Sequence, residues 1–247
     1  MKRGVRVLPL YLSCSLLLAQ TAYNPVNATG KLHTLIKKTR GVIKGWVYRG
    51  WIQNDHFYEV IPGELYRSSQ LPPSQLEQYI KQYGIKTIIN LSGDEPHYWI
   101  SQEEKQIAEK YGIVLFSIKT HALIVTPIDK IRTLLTMLLS APTPMLIHCF
   151  AGSDRTGEAC ALYQLTNGSN YQTAANQLSS KYKHKRWLFP CKLYLIKNME
   201  KIYPGLIESM KNICTQRLSY DELKNISAEE LYRKLIEKNI GTKTSQS

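Results

Sequence analysis

Several features that would place a chain in a common class are missing here. The longest apolar run, Val7–Ala19, is shorter than the ~20 residues a helix needs to cross a bilayer. No acidic residue stands before Asp55, so the N-terminal stretch is basic and apolar throughout. Nothing repeats at a fixed period and no segment is of low complexity, which excludes solenoids, propellers and Pro- or Gly-rich linkers. No zinc finger, RNA-recognition signature or other defined nucleic-acid module is present, so specific nucleic-acid binding is not expected. No His, Cys, Asp and Glu cluster has metal-ligand spacing, and the sequence asks for neither a metal nor another cofactor.

The N-terminus is informative. Lys2, Arg3 and Arg6 precede the apolar run, and small residues follow it at Ala19–Ala22 and Val26-Asn27-Ala28. Charged, apolar and small-residue regions in that order describe a secretory signal. Residues 1–28 are therefore expected to be a signal peptide, with an uncleaved N-terminal anchor as the alternative, and the chain to be exported, periplasmic or secreted. Residues 29–45 read as a polar lead-in, 46–204 as one domain and 205–247 as a helical C-terminal extension. With 247 residues and 43% hydrophobic content there is enough material for a full core.

The formal net charge is +13, and the excess concentrates in Lys181–Lys201. Lys181, Lys183, Lys185, Arg186, Lys192, Lys197 and Lys201 are opposed there by Glu200 alone. Such a stretch is either a solvated basic face or a docking surface for anionic lipid or another polyanion. Among the cysteines, Cys14 would leave with a signal, and Cys160 reads as a small core residue. Cys191 and Cys214 are either a disulfide or two independent buried thiols.

Strand and helix patterns alternate. Strands are expected at Glu64–Arg67, Lys86–Leu91, Ile113–Ile118 and Met145–His148, with one or two more within Gly45–Val60. Helices are expected over Ser74–Tyr83 with Gly84 as the stop, over Ser101–Tyr111 behind a Ser101/Glu104 capping box, and over Pro127–Leu139. Asp154–Leu165 and the region from Tyr171 to about Lys238 also read as helical, with a second capping box at Ser227 and Glu230. This order predicts an α/β domain with a largely parallel central sheet.

One run carries the chemistry: His148-Cys149-Phe150-Ala151-Gly152-Ser153-Asp154-Arg155-Thr156-Gly157. It joins an expected strand to an expected helix. Such a loop aims backbone amides and the positive helix end into one concavity, a natural anion site. The same field favours a thiolate at Cys149.

The run resembles the signature of the cysteine-dependent protein tyrosine and dual-specificity phosphatases: His-Cys, five residues, Arg, then Ser or Thr. Leu65-Tyr66-Arg67-Ser68-Ser69-Gln70 and Thr87–Leu91 extend the likeness, which is to the compact bacterial dual-specificity branch. The resemblance implies the compact phosphatase fold and hydrolysis of a phosphomonoester on a phosphorylated protein. Phosphotyrosine is favoured, with phosphoserine or phosphothreonine as further substrates. Cys149 would attack phosphorus and hold the phosphoryl group covalently. Arg155 would offer its planar fork to two phosphate oxygens. Phe150, Ala151, Gly152 and Ser153 would bind phosphate through the loop backbone, and Gly152 permits the turn that aims it. Thr156 would steady the departing sulfur, and His148 would fix the loop rather than act as a base.

The general acid is missing from its usual loop, which here reads Ile118-Lys-Thr-His-Ala-Leu-Ile-Val125, with Ala122 near the expected Asp position. By resemblance to some secreted bacterial phosphatases, Asp154 is the expected acid; Asp94 and His121 are the alternatives, and Asp129 reads as a first-turn helix residue. Phosphoinositide-directed members often carry Lys before this loop Asp, and Ser153 stands there instead. Phe150, Tyr98, Trp99 and Trp187 are available as pocket walls. Two other readings remain: a phosphoinositide phosphatase, and a phosphate- or polyanion-binding module with weak catalysis.

Overall fold

The computed structural model describes residues 55–93, 99–215 and 218–244. The expected signal segment and lead-in lie outside these residues, as do Cys14, Asp94 and Tyr98 and the side chain of Trp99. Strands β1 (Tyr58–Ile61), β2 (Leu65–Ser68), β3 (Thr87–Asn90), β4 (Val114–Ser117) and β5 (Met145–His148) form one sheet in the order β1-β2-β5-β3-β4. β1 runs antiparallel to β2, and the other pairings are parallel. The expected α/β class with a largely parallel sheet is therefore what the chain adopts.

The apolar sequence of β3 and β5 follows from cover on both faces. Ile88 and Leu146 pack on one side with Leu76 and Ile80 of α1 (Pro73–Tyr83) and Ile107 of α2 (Trp99–Tyr111). Their neighbours Ile89 and Ile147 point the other way, as strand periodicity requires. There they meet Leu134 and Leu135 of α3 (Ile128–Ser140) and Ala159 and Leu162 of α4 (Asp154–Thr166). Each such aliphatic side chain contributes about 1.5–3 kcal/mol on burial.

After α4 come α5 (Tyr171–Ala175), α6 (Pro190–Lys197), α7 (Met199–Ile202), α8 (Leu206–Ile213), α9 (Tyr220–Lys224) and α10 (Ala228–Thr244). Residues between α5 and α6 make two 3-10 turns, Asn176–Leu178 and Ser180–Tyr182, rather than continuous helix. Leu206, Leu231 and Leu235 share the core of α3 and α4, so the C-terminal helices complete that core. Among the described residues no helix is long and apolar enough to cross a membrane.

One local reading is corrected, and one alternative is decided. Helix α2 begins at Trp99, so Ser101 and Glu104 lie inside it and do not form a capping box. Both are buried, and burial beside the sheet edge gives Glu104 different partners. A reciprocal box instead joins Ser219 and Glu222 at the start of α9. At α10 the expected cap is seen in part, with Ser227 Oγ accepting from the Glu230 amide at 3.2 Å. Cys191 and Cys214 are both free. Cys191 Sγ donates to the Ala122 carbonyl at 3.4 Å, whereas Cys214 caps α8 beside Ser140 and Thr136. Their neighbours differ, so the disulfide option falls.

The four parallel strands end at one edge of the sheet, where Ser68, His148 and Asn90 stand in register across β2, β5 and β3. Because β5 is central, the loop that follows it emerges at mid-edge, between the loops after β2 and β3. Ligand sites of open α/β sheets gather at this edge.

Candidate active site

The loop Cys149–Ser153 is held by its carbonyls. The Phe150 carbonyl accepts from the Gln70 amide at 3.2 Å, and the Ala151 carbonyl from His56 Nδ1 at 3.1 Å. Arg67 Nη2 donates to the Gly152 carbonyl at 2.8 Å and to the Ser153 carbonyl at 3.3 Å. In a trans peptide the next N–H points opposite the carbonyl. Four carbonyls drawn outward therefore turn the amides of Ala151, Gly152, Ser153 and Asp154 toward the concavity, the arrangement that binds anions.

Gly152 is required on two grounds. Its φ is +68°, and a Cβ there would stand 2.6 Å from the Ser68 carbonyl oxygen and 2.7 Å from the Ser69 nitrogen. The expected backbone turn is present, and the tight approach to β2 adds a steric reason the sequence did not show.

Cys149 lies at the base, 2% exposed. Burial pushes its thiol up, but the Arg155 guanidinium, the Thr156 hydroxyl and the amides of Thr156 and Gly152 more than offset this and hold it below the ordinary thiol range. Arg155 Nη1 donates to the Leu91 carbonyl at 3.2 Å, which sets the guanidinium across the loop from β3. Thr156 is fully buried in the first turn of α4. Cys149, Gly152, Arg155 and Thr156 thus converge as expected, with Phe150, Ala151 and Ser153 forming the rest of the loop.

Beneath the cysteine, His148 Nε2 lies 2.8 Å from Glu104 Oε1, both nearly out of solvent. Glu104 also accepts from Gln70 Nε2 at 3.2 Å and Asn90 Nδ2 at 2.7 Å. Burial lowers the His148 pKa, but the Glu104 carboxylate and the Cys149 sulfur outweigh it and raise it above the usual imidazole value. His148 is thus held by Glu104 of α2 immediately before the loop.

Asp154 is the first residue of α4, its side chain 13% exposed, and its Oδ1 lies 2.6 Å from Nδ1 of His184. His121 and Asp129 are exposed, Asp129 in the first turn of α3. Ala122, near the expected Asp position, turns its carbonyl to Cys191. Trp187 is 79% exposed and so is not a pocket wall, while Phe150 is half-buried within the loop.

Sequence reasoning missed four participants. Arg67 is fully buried on β2 and also donates through Nη1 to the carbonyl and Oε1 of Gln177, at 2.9 and 2.8 Å. Its guanidinium lies 3.9 Å over the Tyr182 ring. His56 and His184 reach the loop from 95 residues before it and 30 after it, and Gln177 reaches it through Arg67. The only signal was indirect: Arg67 sits inside the Leu65–Gln70 run.

The basic stretch also needs correction. Lys192 is fully buried, with Nζ 2.9 Å from Glu158 Oε2 and 2.5 Å from Thr126 Oγ1, because α6 packs against α4. Lys181, Lys183, Lys185, Arg186, Lys197 and Lys201 remain exposed.

Residues 50–187 match a family whose description is "Tyrosine phosphatase family". The chain belongs to that family. The matched range contains the whole loop from Cys149 to Thr156. The dual specificity protein phosphatase TpbA of Pseudomonas aeruginosa is 28% identical over 126 residues, 50% of this chain and 53% of that protein. The chain thus spans about half the length of the curated relatives it matches. Among solved structures, the Siw14 catalytic core is similar with a TM-score of 0.50, at 18% identity, covering 70% of this chain and 96% of that one. P. aeruginosa TpbA in complex with pTyr gives a TM-score of 0.50, at 18% identity, covering 66% of this chain and 91% of that one. These structural likenesses place the tyrosine phosphatase fold.

Proposed function

We propose that the chain hydrolyses phosphomonoesters on phosphorylated proteins through a cysteinyl-phosphate. The observation that carries this reading is a buried Cys149, its thiol below the ordinary range, under a ring of loop amides with Arg155 beside it. In the first step the Cys149 thiolate attacks phosphorus and the substrate oxygen departs with a proton. In the second, water attacks the thiophosphate and sulfur leaves. The loop amides and Arg155 face the oxygens on which transition-state charge is spread.

Asp154 is the acid of this reading. With Oδ1 held by His184 Nδ1, the remaining oxygen, Oδ2, is left to give a proton to the departing oxygen and later to accept one from water. The burial of Cys149, 2% exposed, supports an aryl phosphate substrate, since a phosphorylated tyrosine reaches deeper than serine or threonine. The P. aeruginosa relative bound to pTyr supports the same preference. The exposed basic residues of Lys181–Lys201 support a second contact, with an anionic partner. Export of the chain remains part of the proposal and rests on the N-terminal pattern alone.

The test is release of phosphate from p-nitrophenyl phosphate and from phosphotyrosine, phosphoserine and phosphoinositide substrates by the reduced full chain. Cys149→Ser should abolish turnover while phosphate and vanadate still bind. Equal residual rates in wild type and variant would leave only the phosphate-binding module.

A further inference from the structure

Beside the cup lies an apolar surface that the chemistry does not use. Leu123, Ile124 and Val125 are 70%, 51% and 39% exposed, and Trp187, Leu188 and Tyr194 are 79%, 45% and 55% exposed. The two groups belong to one face. Cys191 Sγ meets the Ala122 carbonyl at 3.4 Å and Lys192 Nζ meets Thr126 Oγ1 at 2.5 Å, so the contacts bracket Leu123–Val125 at both ends. The face adjoins the site. The first segment follows β4 and is tied by the Thr120 amide to the Leu91 carbonyl, which also receives Arg155. The second begins three residues after His184, the partner of Asp154. Contiguous exposed side chains of this size are unusual on a protein that meets only water.

The charge around this face has one sign. No acidic residue occurs between Glu109 and Asp129 or between Glu158 and Glu200, the intervals that contain the two segments. Lys183, Lys185 and Arg186 are exposed next to Trp187, and Lys197 lies beyond Tyr194. Exposed Trp and Tyr amid aliphatic side chains, bordered by Lys and Arg, match the boundary of a bilayer: rings settle at headgroup level and cations face anionic lipid.

We propose that Leu123–Val125 and Trp187–Tyr194 dock the domain on an anionic lipid surface, with the mouth of the Cys149 cup turned toward that surface. The proposal deepens the reading of Lys181–Lys201 as an anion-docking stretch and does not depend on turnover. It names the partner: a membrane, not a soluble polyanion. The apolar side chains enter the interface and the basic ones hold it there, with each Lys or Arg near the surface contributing a factor of about five in affinity.

Cosedimentation of the full chain with vesicles of phosphatidylcholine alone, or with phosphatidylserine added, tests this, with inorganic polyphosphate as the soluble comparison. Wild type and Cys149→Ser should bind the anionic vesicles alike and the neutral ones at least ten-fold more weakly. The variant Leu123→Ser/Ile124→Ser/Trp187→Ala should lose ten-fold or more for anionic vesicles, keep polyphosphate binding, and hydrolyse p-nitrophenyl phosphate at the wild-type rate. Lys185→Glu/Arg186→Glu should weaken both vesicle and polyphosphate binding. Every comparison retains Val7–Ala19, so that run cannot account for a difference. If the apolar variant binds vesicles as wild type does, the membrane proposal fails and the polyanion reading stands. If the charge variant binds the anionic vesicles as wild type does, the basic residues do not hold the surface and the membrane proposal fails; if it binds polyphosphate unchanged, the soluble-polyanion reading fails by itself. If the apolar variant instead turns a dimer into a monomer in sedimentation velocity, the face belongs to a second copy of the chain and the proposal is overturned.

Discussion

His184 Nδ1 stands 2.6 Å from Asp154 Oδ1, bringing together two side chains 30 residues apart at the rim of the phosphate loop. Asp154→Asn should lower turnover of poor leaving groups such as alkyl phosphates by about 10²–10⁴-fold, and that of p-nitrophenyl phosphate much less. His184→Ala should lower kcat for the same poor leaving groups and leave p-nitrophenyl phosphate turnover much less affected. His184→Gln, which can still donate to Oδ1, should recover much of the loss. Equal losses in Ala and Gln would show that His184 does not position the acid.

The Cys149 thiolate should persist to lower pH than that of an ordinary cysteine. Its alkylation by iodoacetamide should therefore titrate with a midpoint below the usual thiol range, because Arg155 and Thr156 favour the charged form. Arg155→Leu and Thr156→Val should each move that midpoint upward. Cys160, buried and pushed up to about 11, should remain unreactive in the folded chain. Mass spectrometry of alkylated peptides across pH distinguishes the two.

Arg67 is the clamp on the underside of the loop, binding the Gly152, Ser153 and Gln177 carbonyls with one planar fork. Arg67→Lys cannot span these acceptors. A loop displaced by about 1 Å would cost roughly 10²-fold in kcat/KM, with the fold retained in circular dichroism. An unchanged rate would show that the loop holds its own shape.

Lys192, Glu158 and Thr126 form a buried polar cluster that joins α6, α4 and the segment before α3. Lys192→Met leaves the Glu158 carboxyl without its ion partner and should destabilise the chain by about 3–5 kcal/mol in urea unfolding. Lys192→Met/Glu158→Gln should restore most of that loss, since replacing both members removes the unpaired charge.

The legible parts of this molecule are those whose cause is local. Met145–His148 reads as a strand because it is buried on both faces, and Gly84 ends α1 because its φ of 62° suits glycine. The loop is legible for the same reason: Cys149, the turn glycine Gly152 and Arg155 sit within seven residues. Distant partnerships left no such trace. Arg67 looks like any strand residue until β2 is laid beside β5, and His184 looks like one histidine in a basic stretch until the 3-10 turns carry it back to Asp154. Glu104 reads as a cap because Ser-x-x-Glu is a local pattern, while its Asn90, Gln70 and His148 partners are set by the sheet. Lys192 reads as surface for a similar reason, since charge alone does not reveal which face of α6 meets α4.

The segment from Thr120 to Thr126 is fastened at both ends, to the Leu91 carbonyl and to the Glu158–Lys192 pair. On the proposal that Asp154 is the proton donor, this segment has no need to swing in during turnover. An inhibitor that works by wedging a catalytic flap open would then have nothing to grip, and competitors would have to fill the site over Cys149 itself.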